Sequence, residues 1–574
     1  MNFKRVILSP GYSAFNGVLP PEEFKKFAAV AAETGFTHVD LGCSMLERSR
    51  HQLTNNGVWC KDYDFYPEYT AVFPGFFKFH VPEKLTPYLP ADTAKRNLES
   101  MHVRAEILQS LGLKGSFLGG EPQFLPEKAF EDHPEWRGAR SDYAGRSQIA
   151  YFSPCIDQPE ILELYSEAAN VICDAASCIE YVHLLTGDSG NGICWGELYT
   201  GSNGPEFCRH IPAEQRVSTF CGVLADAMKK HGHEEPMAVL HRSPPWGRSI
   251  PVRKAAGAPG GTIYSARGCQ DKPVCFEDPV TILEEIAKAD GYDNLIINIE
   301  APELQMRKDG IYPRIIKSAL EEKPRGTVDI ASRVKTAVAN TMPEADAEAV
   351  TDGFFLLSQA LRDYQSTLSC NFFYGNMSER WLTRPLLVCI PPMDSEETAY
   401  YRNHIFSVNG EKAFRDYLDF HGGRWKRFGS TVEEGSYSAF ICANIIEKLS
   451  RAIALFGAES DMGWRTRALR VLVKNLRHLL IFTGLHDGLR KNGTTSRPAV
   501  QEIMRAEIDN CSEMITILEK GLANVIHLAE TKEQENTFRF GPDLADQLRL
   551  KQKQMFAHWH DLDDILLGKR PPIE

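Results

Sequence analysis

The chain has 574 residues, 43% hydrophobic and 24% charged, with a formal net charge of −12. That length exceeds one ordinary domain and fits a barrel with a satellite, and the composition allows a substantial core. The acidic balance, without a concentrated Lys/Arg tract, argues against nucleic acid and anionic membrane surfaces as partners.

The first residues, M-N-F-K-R-V-I-L-S-P-G-Y, hold too few apolar positions after Lys4 and Arg5 for a signal-peptide core. No stretch reaches membrane-spanning length, so a cytoplasmic location is expected. The 14 cysteines include no C-x-x-C pair and read as reduced, mostly buried thiols.

Val6–Leu8 is a short apolar run closed by Ser9-Pro10-Gly11. Pro20-Pro21-Glu22-Glu23 opens a helix, with proline and acids in its first turn, and the helix ends near Gly35. Thr37–Gly42 is a second strand, which makes a parallel βα unit. Residues 43–90 form an aromatic excursion too long for a simple connector. Asp92–Leu111 is a helix, and the next strand, Lys114–Pro122, carries Glu121 at its tip. A loop with His133-Pro134-Glu135-Trp136-Arg137-Gly138 follows, then a helix over Ile161–Ala176.

Tyr181–Leu185 is a buried fourth strand, tipped by Asp188. The glycine-rich loop after it holds Trp195, Glu197, Tyr199 and Asn203. Gln215–His231 is a helix and Met237–His241 a fifth strand. After the loop with Trp246 comes an irregular stretch, with a short strand at Thr262–Tyr264. Pro279–Ala289 is a helix and Asn294–Glu300 a sixth strand. Asp352–Tyr364 is helical, Thr367–Gly375 a seventh strand and Arg384–Ile390 an eighth. This alternation predicts a (β/α)8 TIM-like barrel over residues 1–430. A doubly wound open sheet is the alternative, but no glycine-rich dinucleotide fingerprint follows the first strand. Residues 431–574 read as an all-helical C-terminal domain, with helices over 439–455, 464–482, 498–528 and 541–565. Packing on the barrel or forming a homodimer is its expected role.

Three strands therefore end in acids: Glu121, Asp188 and Glu300. In a barrel such tips face one another across the C-terminal mouth. Glycoside hydrolysis needs such a set, one carboxyl protonated to donate to the leaving oxygen and another ionised as nucleophile or base. Trp136, Trp195, Tyr199, Trp246 and Tyr374 offer flat faces for pyranose rings, while Arg137, Asn203 and His241 offer polar contacts. The spacings of His183, Asp188, Cys194, Cys208 and His210 match no zinc pattern, so neither a metal nor a cofactor is expected.

H-P-E-W-R-G after the third strand, S-P-C-x-x-x-P-E before the next helix and the acid-tipped fourth strand resemble segments of glycoside hydrolases with a hexosaminidase-like or α-glucuronidase-like barrel. The barrel followed by helices is similar to the α-glucuronidase layout. The resemblance spans roughly residues 1–430 at superfamily level. It implies a two-carboxylate hydrolase of a small oligosaccharide or glycoside, including uronates, with Asp188 as general acid or acid/base. Ser189 follows Asp188 where the hexosaminidase-like group carries a second acid, which leaves Glu300, then Glu121, as the second carboxylate. A separation of about 5–5.5 Å between the two carboxyl groups would mean retention, and roughly 6.5–9.5 Å inversion.

Two other readings are open. A barrel isomerase, epimerase or lyase would hold a divalent metal with Glu121, Glu300 and His241, and would show a metal requirement. A non-catalytic carbohydrate-binding barrel would bind sugar without turnover.

Overall fold

The apolar runs become one seven-stranded parallel sheet in the computed structural model. The structure describes residues 3–10, 20–42, 74–141, 152–186, 191–195, 204–242, 263–267, 276–299, 305–364, 381–389, 432–520 and 540–569, with a few single residues between. The strands are β1 (Arg5–Ser9), β2 (His38–Asp40), β3 (Lys114–Gly120), β4 (Arg137–Arg140), β5 (Phe152–Pro154), β6 (Ile179–Thr186), β7 (Met237–Arg242), β8 (Ile263–Arg267) and β9 (Asn294–Asn298). β4 and β5 form a separate antiparallel pair, and the parallel sheet runs β7-β6-β3-β2-β1-β9-β8. The helices of this part are α1 (Pro21–Thr34), α2 (Ala91–Ser110), α3 (Glu127–Asp132), α4 (Pro159–Ala175), α5 (Ala213–Lys230), α6 (Pro279–Lys288), α7 (Ile311–Glu321) and α8 (Gly326–Thr341). Proline opens α1 and α4, where its missing N–H costs nothing. Gly35 closes α1 at φ 107°, its N–H bonded back to Ala31 and Ala32.

The sheet is curled on itself. β2, β3 and β6 separate β1 from β7 in the strand order. In a flat sheet these strands would lie roughly 19 Å apart. Yet Arg5 Nη1 on β1 is 3.9 Å from the Met237 sulfur on β7, and Nη2 donates to Glu235 O at 2.7 Å. Ile7, Leu118, Tyr181, Met237, Val239, Ile263 and Ile296 form one buried cluster drawn from six of the strands. This is the filled interior of a TIM-like barrel, as the alternation predicts.

Among the described residues the parallel sheet has seven strands, where eight were expected for the whole barrel. β9 pairs with β1 from Arg5↔Asn294 to Ser9↔Asn298, and with β8 on its other edge. Both edges of β9 are thus taken, so the expected sixth strand closes onto β1. The expected seventh strand, Thr367–Gly375, lies outside the described residues. The expected eighth, Arg384–Ile390, is irregular over its described residues. Its Leu386, Leu387 and Val388 are buried, and Val388 O accepts not from a strand but from His486 Nε2, in the C-terminal part, at 3.0 Å.

The amino-terminal end of the barrel is closed by an ionic cluster around Glu180. His38 Nε2 lies 2.9 Å from its carboxylate, Arg5 Nε and His233 Nδ1 lie at 3.5 Å, and Lys114 also pairs with it. Burial pushes the Glu180 carboxyl up, but hydrogen bonds from His233, His38 and Lys114 outweigh this and hold it well below the usual range. A carboxyl lowered in the fold adds stability above its unfolded pKa of about 4.3, and that stability is lost as pH falls below it. Glu180→Gln is therefore expected to cost about 3 kcal/mol at neutral pH, measured by urea unfolding. The difference from wild type should shrink in acid, and an unchanged difference at low pH would refute the assignment.

Compactness divides the chain near Thr341, residues 342–574 forming most of a second unit; the sequence expectation set the boundary at 430. Its helices are α9 (Ala347–Asp363), α10 (Val432–Phe456), α11 (Asp461–Asn492), α12 (Arg497–Glu519), α13 (Leu544–Ala557) and α14 (Asp561–Leu566). Asp346, Ser460 and Ser496 accept backbone N–H bonds as caps of α9, α11 and α12. The C-terminal region is helical, as expected. Among the described residues no helix is long and apolar enough to cross a membrane.

Candidate functional site at the barrel mouth

The carboxyl ends of the strands define a rim, and side chains at strand tips close it. Glu121 follows β3 directly and is 1% exposed. Its Oε1 accepts from Phe76 N at 2.7 Å, and its Oε2 from Gln123 N at 2.9 Å and the Tyr165 hydroxyl at 2.6 Å. Burial raises its carboxyl to about 7, against the lowering effect of those three donors. Both oxygens are engaged, so in this arrangement Glu121 ties the segment at Phe76 and helix α4 to the rim. Glu121→Gln would turn an amide N–H towards a backbone N–H. A loss of about 1–3 kcal/mol is expected, read by chemical denaturation; an unchanged midpoint would show that the three bonds carry no weight.

Asp40 is a rim acid that the sequence reading did not single out. It ends β2, is fully buried, and its Oδ1 accepts from Leu118 N at 2.8 Å and Gly42 N at 3.1 Å. The signal was present, an acid after the run His38-Val39, but the strand is only three residues long. Asn191 is also buried at the rim. A Cβ at Gly120 would lie 2.7 Å from its amide nitrogen, so glycine there permits the approach. On the far side Asn298 donates to Ser265 Oγ at 2.9 Å and Ala266 O at 3.1 Å, joining β9 to β8.

Asp188 and Glu300 lie outside the described residues, as do Tyr199, Asn203, Trp246 and Tyr374. The strands leading to the two acids, β6 and β9, end at this rim at Thr186 and Asn298. His241 sits in β7 opposite Leu185, and its side chain is outside the described part.

Trp136 is corrected from sugar platform to core. It is completely buried, its ring stacks on His133 at 3.8 Å, and its N–H donates to Glu160 at 2.7 Å. No sugar can reach that ring. Arg137 pairs with Glu127 and lies over the rings of Phe130 and Phe152 at 4.9 and 4.6 Å. The H-P-E-W-R-G and S-P-C-x-x-x-P-E segments thus meet each other. Trp136 bonds Glu160, and Arg137 on β4 pairs with Pro154 on β5. Trp195 is half-buried, with its N–H on Pro205 O at 3.0 Å and Arg209 over its ring at 5.2 Å. Its φ of 56° is left-handed, alone among described non-glycine residues. Such strain tends to collect at functional loops.

No family model matches the chain. No curated protein sequence matches it. Among solved structures it is similar to a GH138 enzyme targeting pectin rhamnogalacturonan II, with 10% identity and a TM-score of 0.50 over 99% of this chain and 69% of that one. A GH89 enzyme from Clostridium perfringens, solved with GlcNAc-alpha-1,4-galactose, aligns over 97% of this chain and 63% of its own, at 11% identity and a TM-score of 0.38. A GH36 alpha-galactosidase from Geobacillus stearothermophilus aligns over 59% and 43%, at 11% identity and a TM-score of 0.32. The chain spans 69% or less of the length of each of these proteins. The first likeness shows the fold alone, a TIM-like barrel followed by helices.

Proposed function

We propose that the protein is a glycoside hydrolase acting on a small oligosaccharide or glycoside, uronides included, through two carboxylates. The feature that supports this most is the sequence position of three acids just beyond the carboxyl ends of barrel strands. Glu121 directly follows β3, and in sequence Asp188 lies two residues beyond β6 and Glu300 two beyond β9. Asp188 is assigned as general acid or acid/base and Glu300 as nucleophile or base. Glu121, with both oxygens hydrogen-bonded, takes a positioning role. Those three donors take three of its about four lone-pair sites, so at most one on Oε1 is left for any other ligand. Trp195, Tyr199, Trp246 and Tyr374 are assigned to the sugar platform, and Asn203 and His241 to hydroxyl recognition.

The test is an array of aryl glycosides and uronides, followed by aglycone release and by NMR of the first-formed anomer. Release of a reducing sugar is expected. Isomerised or unsaturated products, or sugar binding without release anywhere on the array, would overturn the reading.

A further inference from the structure

Three cysteines from separate segments converge beside the rim. Cys155 follows β5, Cys194 lies beyond β6, and Cys208 precedes α5. All three are buried, and their sulfurs lie within 4.8 Å of one another. The Cys155 and Cys208 sulfurs are 3.9 Å apart. Tetrahedral zinc with Zn–S bonds of about 2.3 Å sets sulfurs about 3.8 Å apart. A disulfide needs about 2.05 Å and would strand the third thiol.

A fourth donor stands alongside. Asp157 Oδ2 is 3.7 Å from the Cys155 sulfur, close to the tetrahedral sulfur–oxygen edge of about 3.5–3.7 Å, but it lies outside the set of three mutually close sulfurs and has to turn in to complete a tetrahedron. Arg216 Nη1 holds that same oxygen at 3.3 Å, both side chains being almost wholly buried. Arg216 Nε has no hydrogen-bond partner among the described residues. A fixed cation placed here suits a site that gathers negative charge. Gly204 leaves room for the approach, since a Cβ there would lie 2.6 Å from Cys194 Cβ.

We propose that Cys155, Cys194, Cys208 and Asp157 form a zinc-binding site that clips the two ends of the segment between Cys194 and Cys208 to the end of β5. This departs from the expectation that no metal is bound. On binding, three S–H bonds break and their protons pass to solvent, three Zn–S bonds and one Zn–O bond replace the ion's bonds to water, and no electron is transferred. Three thiolates and a carboxylate around a dication give a poor Lewis acid, so the ion is a structural clip and not a catalytic centre. Arg216 orients Asp157 and offsets part of the charge. The inference stands independently of the glycosidase reading, because its test measures metal and not turnover.

Full-length protein is reduced, incubated with Zn2+ or Co2+, dialysed free of excess ion and assayed by mass spectrometry for metal. About one ion per chain is expected, and the cobalt form should show thiolate-to-cobalt charge transfer in the near ultraviolet with tetrahedral d–d bands. Cys194→Ser and Cys208→Ser should lose the ion, whereas Cys173→Ser, on α4, should retain it. Asp157→Asn should weaken binding about tenfold or more. Should a cysteine variant fail to fold, the cobalt spectrum of the wild type decides. No retained ion, a cobalt spectrum without thiolate character, or an ion that survives Cys194→Ser would overturn the proposal.

Discussion

Asp188→Asn is expected to lower turnover of glycosides with poor leaving groups by about 1,000-fold, with the unfolding midpoint unchanged. A general acid matters in proportion to the leaving group's need for a proton. With a dinitrophenyl leaving group, which departs as the anion, the defect in bond cleavage should therefore shrink towards wild-type rates. Glu300→Gln should behave differently. Its loss would persist across leaving groups, because attack on the anomeric carbon is impaired whatever departs. Steady-state kinetics on a leaving-group series would check both variants. A defect in Asp188→Asn that ignores the leaving group would exchange the two roles, and a change of less than about twofold would remove Asp188 from the chemistry. Glu121→Gln provides the contrast, a stability loss from broken internal bonds with any loss of turnover following from it.

The parallel strands were legible because both their faces are buried. Such strands read as nearly continuous apolar runs, and β1, β6, β7 and β9 all do. The same signal misplaced Arg384–Ile390. Leu386, Leu387 and Val388 are buried without strand pairing, and periodicity alone cannot separate that from a strand. Pairing between distant strands leaves no local mark, so the closure of β9 onto β1 was not readable. The strand-tip acids were legible from position, but their engagement was not. Glu121 meets donors from Phe76 and Tyr165 only through the fold. Trp136 looked like a platform by residue type, whereas its burial depends on Glu160 and His133. The thiol cluster escaped for the same reason. Cys155 sits on a different βα segment from Cys194 and Cys208, so no metal spacing exists in the sequence to be matched.

In the helical unit the largest expected stability effect belongs to Lys551. Its ammonium is completely buried and donates to Glu507 Oε1 at 2.5 Å, Leu382 O at 2.8 Å and Asn475 Oδ1 at 3.2 Å. Those three partners use all three N–H bonds. Glu507 is equally buried, and its other oxygen meets His478 Nδ1 at 2.6 Å and Asn510 Nδ2 at 3.3 Å. Burial would push the Glu507 carboxyl up, but Lys551 and His478 more than offset it, and it is lowered overall. Lys551→Met would take the ammonium from a buried carboxylate and leave it His478, Asn510 and the weak Cys511 thiol, at an expected cost of about 3–5 kcal/mol. Glu507→Leu alone should cost a similar amount by stranding the ammonium. The double variant should recover much of the loss, since a packed apolar pair avoids both desolvation penalties. Because the Glu507 carboxyl is lowered in the fold, the contribution is present above about pH 4.3 and lost as pH falls below it. Equilibrium denaturation of the four proteins at neutral and acid pH would measure the coupling. Strictly additive losses would mean that Lys551 serves Leu382 and Asn475, and that the ion pair itself contributes nothing.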